Sequence, residues 1–265
     1  MSPQDKDKVY YHLELSENML EGAQYALVPG DPGRVEALAK AFDPNAKALA
    51  SHREYTSFLA TFHGQKVLVT STGIGGPSTS IAVEELASVG IRYFLRVGSC
   101  GAIQEKIKPG ELVITRGAVR LDGASSHYAP IEYPAVASLH LTSMIVDAAE
   151  ELGVPYHVGI TASSDTFYPG QERYNNYSKY VIRRFQGSIA EWQHLNVSNY
   201  EMESATLLTM ANVFDVHAAC MCGVVANRVL SEEVDPNMLK ASSTHWEKTA
   251  VRAIELSMRK RGFIK

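Results

Sequence analysis

Residues 66–97, KVLVTSTGIGGPSTSIAVEELASVGIRYFLRV, contain the alternation of elements that decides the fold. The stretch 66–71 is rich in β-branched residues and predicts a strand, and the glycines of 73–77 predict a turn. Helical spacing over 80–89 and a second apolar strand over 92–97 follow. Strand, turn, helix and strand in this order form a βαβ unit, which favours a parallel sheet.

The same alternation continues on either side of this unit. Further strands are predicted over 25–29, 111–119 and 218–225, and further helices over 34–41, 139–152, 174–186, 201–214 and 245–261. Gly153 predicts the C-cap of the helix 139–152. The pattern predicts a single α/β domain, residues 1–265, with a mixed, mostly parallel central sheet flanked by helices on both faces. The polar residues 1–9 are expected to form a flexible N-terminus.

The composition limits the classes of function. The chain has 265 residues, 45% of them hydrophobic, which is enough for one substantial core, and its net charge of -4 argues against a general nucleic-acid binder. The N-terminus lacks the apolar segment of a signal peptide, and no apolar run approaches the ~20 residues that span a bilayer. Three cysteines, Cys100, Cys220 and Cys222, provide no disulfide framework. A cytoplasmic protein is therefore expected, and the two late cysteines would lie on one face of a strand.

Ligands of such sheets bind beyond the carboxyl ends of the strands, so the loops that follow strands are the candidate site. These loops are 30–34, 73–78, 98–101, 163–173 and 227–228. The turn 73–78 is not a dinucleotide fingerprint, because Ser78 stands where the sixth-position glycine is required. Its backbone N–H groups would suit an anion. A tight turn packed against a helix is an equally good interpretation of the same residues.

Arginines indicate an anionic ligand. Arg96 ends a predicted strand, where a charge is costly unless it is paired. A phosphate would pair it, and so would an internal carboxylate. Arg34 and Arg53 lie near other loops, although each taken alone is compatible with a solvated surface position.

Two glutamates open the predicted helix 201–214, in the stretch YEMES that begins at Tyr200. They could complement the helix dipole. Alternatively, one carboxylate could accept hydrogen bonds from both hydroxyls of a ribose diol, because its two oxygens match two O–H donors. The residues alone leave both interpretations open.

The stretch TASSDTFYPGQERYNNYS, residues 161–178, combines an aromatic ring, an amide and an arginine around a Pro-Gly bend. Phe167 could stack on a flat ring, and Gln171 with Arg173 could match the O=C–NH–C=O edge of uracil. A tyrosine-rich surface loop is the competing interpretation. A phosphate cradle, a diol acceptor and a uracil clamp together predict an enzyme that cleaves uridine with phosphate.

Five motifs carry a resemblance to a known family: VPGDPGR at 28–34, STGIGGPSTSIAVEE at 71–85, VRLDGAS at 119–125, ASSDTFYPGQER at 162–173 and YEMESAT at 200–206. They resemble the bacterial uridine phosphorylases of the nucleoside phosphorylase superfamily, from about His12 to the C-terminal helix. The resemblance implies one α/β domain around a distorted, barrel-like sheet and a homohexamer built from three dimers. It implies inorganic phosphate as co-substrate, no cofactor, and a potassium-like cation at the dimer interface.

The resemblance also implies a role for each residue at a matching position. Phosphate would be held by Gly30, Arg34, Arg96 and Ser99, with Arg53 supplied by the neighbouring subunit. Ribose would be held by Met202, Glu203 and Arg96, with His12 of the neighbour at the 5′-hydroxyl. Uracil would be held by Phe167, Gln171, Arg173 and Arg228. The catalytic residues would be Arg173, Gln171, Glu203 and Arg96, and the cation would lie near Glu54, Ile74 and Ser78.

One short stretch departs from the family pattern. The uridine enzymes have two threonines where this chain has Ser99-Cys100, and GSCG at 98–101 resembles the hexameric purine nucleoside phosphorylases. Ser99 keeps a hydroxyl for phosphate. The purine enzymes also use an aspartate on a late strand loop, where this chain reads VANR at 225–228. Uridine is therefore the expected base donor, while a water-using nucleosidase and a non-catalytic nucleoside sensor are the competing classes.

Overall fold

The computed structural model describes residues 5–231 and 236–265, with the side chains of 236–242 excepted. The strands of this part are β1 (Tyr25–Leu27), β2 (Lys47–His52), β3 (Tyr55–Phe62), β4 (Gln65–Thr70), β5 (Tyr93–Ala102), β6 (Leu112–Leu121), β7 (Ala135–Val136), β8 (Tyr156–Ser164), β9 (Val197–Glu201) and β10 (His217–Asn227). The helices are α1 (Val35–Phe42), α2 (Gly76–Ser88), α3 (Leu139–Leu152), α4 (Ser188–His194), α5 (Ser204–Val213) and α6 (Pro236–Lys260). Among the described residues, none of these helices has the length and apolar character needed to cross a membrane.

The strands form one mixed sheet that closes on itself. β5 pairs with both β10 and β9, and the order β10-β6-β8-β9 completes the ring. β1 pairs with the beginning of β5, on the edge whose end pairs with β9, and β4, β3 and β2 extend the sheet from β1. The predicted mixed sheet with a barrel-like distortion is confirmed. Parallel pairing is less dominant than expected, because five parallel ladders are matched by five antiparallel ones among the described strands.

Helices cover both faces, as predicted. α1, α3 and α6 share one apolar cluster with the sheet, and α2 and α5 share another. Contact is closest where α6 meets β10, because a Cβ placed on Gly223 would overlap the indole ring of Trp246. The indole N–H donates to the carbonyl oxygen of Gly110 at 3.2 Å. The sheet is thus buried between two helical layers, and its strand ends remain available for a site.

The inside of the ring is partly polar. Thr115 and Thr161 hydroxyls lie 2.7 Å apart, and the Thr161 hydroxyl donates to Oδ1 of Asn199 at 2.9 Å. The sulfurs of Cys220 and Cys222 lie 3.7 Å apart and are fully buried. The prediction that both sulfurs lie on one face of a strand is confirmed.

The predicted helix over 174–186 is wrong. A short 3-10 turn, Arg183–Phe185, is its only helical part within the described chain. The Asn176 side chain binds the carbonyl groups that a helix would pair with backbone N–H groups. Its Nδ2 donates to the carbonyls of Arg173 (2.7 Å) and Tyr180 (3.0 Å). Lys179 adopts a left-handed conformation with φ 55°. Asparagine side chains that bond to the local backbone offer an alternative to helix, and here the alternative prevails.

The other predicted elements are present, most of them with shifted ends. α2 begins at Gly76, inside the stretch predicted as a turn, because proline suits a first helical turn and Pro77 occupies it. β5 runs through the predicted loop 98–101 to Ala102. Glu201 ends β9, so the predicted helix 201–214 begins only at Ser204. Gly153 is the left-handed C-cap of α3, as predicted. The sequence patterns did not predict β2, β3, β7, β8, β9 or α4.

The expectation of a flexible N-terminus falls partly on residues 1–4, outside the described residues. Lys6 forms an ion pair with Glu17 at 2.7 Å, and the amide of Asn18 donates to Asp7 at 2.6 Å.

Candidate active site

Arg96 is the centre of the site. It lies on β5, one of the strands of the closed ring. Its side chain is buried between two carboxylates. Nε donates to Oε2 of Glu201 at 3.0 Å, and Nη2 lies 2.5 Å from Oε2 of Glu203. Burial alone would lower the pKa of Arg96, but Glu203 and Glu201 outweigh it and hold that pKa above its usual value. The internal ion pair that the sequence allowed is therefore present.

Arg96 nevertheless keeps one donor group available. Its Nη1 is buried and has no hydrogen-bond partner among the described residues. A Cβ built on Gly30 would lie 3.8 Å from this nitrogen and 3.1 Å from the carbonyl oxygen of Gly73. Gly30 thus brings the backbone of the first loop close to Nη1. Because buried donors without partners are rare, this group is suited to an anionic ligand.

Arg34 also has a buried donor group without a hydrogen-bond partner among the described residues. It precedes α1, and its Nη2 is also buried without a hydrogen-bond partner in the described chain. Burial lowers the pKa of Arg34, Glu247 on α6 opposes that shift, and Arg96 adds to it by like-charge repulsion. An anion between the two arginines would reduce their repulsion and satisfy both donors. Ser99 lies on the same strand as Arg96, three residues further on, and is exposed.

The two glutamates after β9 have different roles. Glu201 accepts the backbone N–H groups of Glu203 and Ser204, both at 3.0 Å, so it satisfies the first turn of α5 as well as Arg96. Glu203 is the N-cap residue of α5, and its Oε1 accepts the N–H of Gly75 at 2.6 Å. Of the two interpretations of these glutamates, stabilisation of the helix N-terminus therefore applies to Glu201. Glu203 remains the candidate diol acceptor, with the half-buried Met202 beside it.

Burial also affects the titration of Glu203. Desolvation raises the pKa of its carboxyl above the ordinary value, while Arg96 and the N–H of Gly75 act in the opposite direction. The sequence left open whether the glycine turn binds an anion or is only a tight turn. In the structure the N–H of Gly75 binds the carboxylate of Glu203 instead, which no local sequence pattern could indicate because the two residues are 128 positions apart.

The residues expected to bind the base lie on and beside a tight turn, Pro169–Gln171. The guanidinium carbon of Arg173 lies 4.2 Å from the centre of the Phe167 ring. Gln171 is buried, and Phe167 is 49% exposed. The turn is held by the N–H of Gly170, which donates to the Thr166 hydroxyl at 2.8 Å. The structure thus brings Phe167 and Arg173 into contact and places the buried Gln171 in the turn between them.

Arg228 lies near Tyr200 and Gly101. Its guanidinium carbon lies 5.6 Å from the centre of the Tyr200 ring. A Cβ on Gly101 would lie 2.8 Å from its Cδ, so the side chain crosses β5 at that glycine. A larger residue at Gly101 would displace Arg228.

His12 and Arg53 lie in a separate cluster. His12 Nδ1 is 2.7 Å from Oε1 of Glu85, and His52 Nδ1 is 3.0 Å from the carbonyl oxygen of His12. The guanidinium carbon of exposed Arg53 is 6.0 Å from the centre of the Tyr11 ring. Within the described chain, these contacts do not include Arg96 or Glu203. His12 and Arg53 are thus linked to each other through Tyr11 and His52.

The three residues of the expected cation site lie around Gly73. A Cβ on Gly73 would lie 2.6 Å from Cγ of Glu54 and 3.0 Å from Oγ of Ser78. The Ser78 hydroxyl donates to the carbonyl oxygen of Ile74 at 3.0 Å. A carboxylate, a hydroxyl and a carbonyl provide oxygen ligands, which hard cations prefer, so these residues fit such an ion. The Ile74 side chain is 76% exposed.

Comparison with known proteins agrees with this geometry. Residues 24–257 match the phosphorylase superfamily. The uridine phosphorylase of Salmonella typhimurium (strain LT2) is 56% identical over 92% of this chain and 96% of its own length. The uridine phosphorylase of Escherichia coli (strain K12) is 54% identical over the same shares. A guanosine phosphorylase of Halorubrum lacusprofundi is 36% identical over 84% of this chain and 85% of its own. The chain belongs to the phosphorylase superfamily.

Proposed function

We propose that this protein is a uridine phosphorylase, which converts uridine and inorganic phosphate reversibly to uracil and α-ribose 1-phosphate. The observation that carries the proposal is the arrangement of Arg96. One side of its guanidinium is fixed by Glu201 and Glu203, while Nη1 remains buried without a partner among the described residues. Uridine phosphorylases more than half identical to this chain support the choice of substrate.

Phosphate would bind between Arg34 and Arg96. The available Nη groups of the two arginines and the backbone of Gly30 would hold its oxygens, and the Ser99 hydroxyl would add a hydrogen bond. Positioning the phosphate next to C1′ of the ribose converts a bimolecular attack into a reaction within one complex. A nucleosidase that uses water would gain nothing from two buried cationic donors.

Ribose would bind at Glu203 and Met202. Each Glu203 oxygen already accepts one donor, from Gly75 or Arg96, and each retains a lone pair for a hydroxyl of the 2′,3′-diol. The negative charge of Glu203 would also stabilise the oxocarbenium-like ring that develops as the glycosidic bond breaks.

Uracil would bind at the clamp of Phe167, Gln171 and Arg173, with Arg228 in support. The bond between C1′ and N1 breaks as a phosphate oxygen attacks C1′ from the opposite face, and the bonding electrons remain on uracil. Gln171 and Arg173 would stabilise this anion, and loss of one such donor typically costs ~10²–10³ in rate. Uracil delocalises the charge over its imide, so its departure does not require a general acid.

The assembly that fits this proposal is a hexamer of three dimers. Arg53 would reach the phosphate and His12 the 5′-hydroxyl of the neighbouring subunit's substrate. The oxygen atoms around Gly73 would hold a potassium-like cation at the dimer interface, next to exposed Ile74. The cytoplasm is the proposed location, in keeping with three free buried cysteines.

A purine substrate is the second candidate, and Ser99-Cys100 favours it. Asn227 argues against it, because its side chain is already committed to the loop. Its Nδ2 donates to the carbonyls of Gln104 (2.9 Å) and Ile107 (2.7 Å), and its Oδ1 accepts the N–H of Val229 at 3.0 Å. An amide in this position supplies no acid for a purine leaving group.

The direct test follows the loss of uridine absorbance with and without phosphate, with inosine and guanosine in parallel. We expect uridine cleavage that requires phosphate, with release of uracil and ribose 1-phosphate. Faster cleavage of either purine nucleoside would overturn the choice of base. Phosphate-independent cleavage would identify a nucleosidase, and tight uridine binding without turnover would identify a sensor.

A further inference from the structure

The orientation of the Glu203 carboxylate depends on a backbone group. Oε2 is paired with Arg96, but Oε1 accepts its hydrogen bond from the N–H of Gly75, at 2.6 Å. Gly75 has φ 86° and ψ 173°, a positive-φ conformation that is essentially restricted to glycine. A shift of this turn would move the N–H of Gly75. The carboxylate of Glu203 would then rotate while its ion pair with Arg96 is kept.

The turn rests directly on helix α5. A Cβ built on Gly76 would lie 2.7 Å from the Thr206 hydroxyl oxygen and 2.9 Å from Cβ of Ala124. Real side chains do not approach so closely, so the backbone of Gly76 occupies the space in front of Thr206. The position of the Thr206 side chain therefore limits where the glycine turn can lie.

Thr206 is in turn fixed by Asp122. Its fully buried hydroxyl donates to Oδ2 of Asp122 at 2.6 Å. The same carboxylate accepts the N–H of Ser125 and the hydroxyl of Ser125, both at 2.7 Å. The Ser125 hydroxyl oxygen accepts Nε of Arg120 at 2.9 Å. Asp122 cannot turn away from Thr206 without breaking the two bonds to Ser125.

We propose that Asp122 and Thr206 are positioning residues for Glu203 and therefore determine how well the enzyme recognises the ribose 2′-hydroxyl. Asp122 holds Thr206 against Gly76, and the turn then presents the N–H of Gly75 to Glu203. In this arrangement the remaining lone pairs of Glu203 would accept the hydroxyls of the diol. The inference rests on the proposed function, because it assigns the diol to Glu203.

The test compares kcat/KM for uridine and for 2′-deoxyuridine in matched variants. Thr206→Val keeps the shape of the side chain and removes the donor, and Thr206→Ser keeps the donor. Thr209→Val is the control, since Thr209 lies on the same helix, is fully buried and has a hydroxyl without a partner in the described part of the chain.

We expect Thr206→Val to lower kcat/KM for uridine about 10-fold, since the loss of one buried hydrogen bond has an effect of this order. The loss for 2′-deoxyuridine should be much smaller, so that the ratio between the two substrates falls. KM for phosphate should stay unchanged. Thr206→Ser and Thr209→Val should keep the wild-type ratio.

A double-mutant cycle separates positioning from general stability. In a Glu203→Gln background, Thr206→Val should cause little further loss for uridine, because both changes remove the same interaction. Equal losses for both nucleosides, additive losses in the cycle, or an equal effect of Thr209→Val would overturn the proposal. If Thr206→Val does not fold, Asp122→Asn is measured by the same ratio and the same cycle. Wild-type protein that does not cleave uridine with phosphate would instead contradict the proposed function.

Discussion

The buried position of Glu203 predicts an acid limb in the pH profile. Desolvation raises the pKa of this carboxyl above its ordinary value of 4.5, even though Arg96 and Gly75 oppose the shift. Only the ionised form accepts hydrogen bonds from both hydroxyls of the diol. Hence kcat/KM for uridine should fall as the pH decreases through the raised pKa, above the range of an exposed glutamate.

The measurement is kcat/KM for uridine between about pH 5 and 8 at saturating phosphate, for the wild type and Glu203→Gln. The variant should have lower activity and a flatter acid limb. Phosphate ionises identically in both experiments, so the difference between the curves belongs to Glu203. Superimposable limbs would assign the titration to phosphate or to another residue.

At the residue scale, the sequence provided candidate residues for the site but not their contacts. Phe167, Gln171 and Arg173 are close in sequence, and a short turn alone is enough to bring them together. The partners of Arg96 are Glu201 and Glu203, more than a hundred positions away, so the sequence could only indicate that some anion was needed. The role of Gly75 as a donor to Glu203 depends on tertiary packing and has no local signal.

At the element scale, the contact between α6 and β10 predicts an intolerant glycine. Gly223→Ala should reduce the free energy of unfolding by ~1–3 kcal/mol or more, because the new methyl group overlaps the Trp246 ring and forces β10 and α6 apart. Chemical denaturation gives this value directly. Gly117→Ala in β6 is the control, since the closest atom to its Cβ is the carbonyl oxygen of Ala135 at 3.4 Å, an ordinary contact. Similar stability of the two variants would contradict the tight packing.

Local signals predicted α3, but they did not predict β9 or the irregular course of 174–186. α3 follows its predicted bounds because both the apolar spacing and the Gly153 cap are local signals. The segment 174–186 has helical spacing too, yet Asn176 bonds to the backbone around it and Lys179 turns left-handed. β9 is only five residues long, too short for its alternation to stand out before the helix that follows.

At the scale of the whole molecule, the separation of Arg53 from Arg96 predicts complementation between inactive variants. If Arg53 serves the neighbour's site, co-expressed Arg53→Ala and Arg173→Ala chains should form dimers with one intact site. Random pairing makes half of the dimers mixed, so the activity should recover to roughly a quarter of the wild-type value. Turnover of uridine by the co-purified chains, each with a different affinity tag, measures the recovery.

The matched control pairs Arg96→Ala with Arg173→Ala. Both residues belong to the part of the site that one chain provides, so no mixed dimer has an intact site and activity should stay at the level of the single variants. Recovery in this control, or none in the Arg53 mixture, would refute a shared site.

The closed ring has a consequence for the order of events during synthesis. β5 leaves the ribosome about a hundred residues before β9, the strand that ends in the carboxylate partner of Arg96, and β10 follows later still. Until those strands emerge, the growing chain carries an unneutralised arginine in a strand with an open edge. Pairings between such distant segments form slowly, since long loops must close first. The candidate active site is therefore among the last parts to assemble, and a prematurely released chain would have part of the sheet without the paired Arg96.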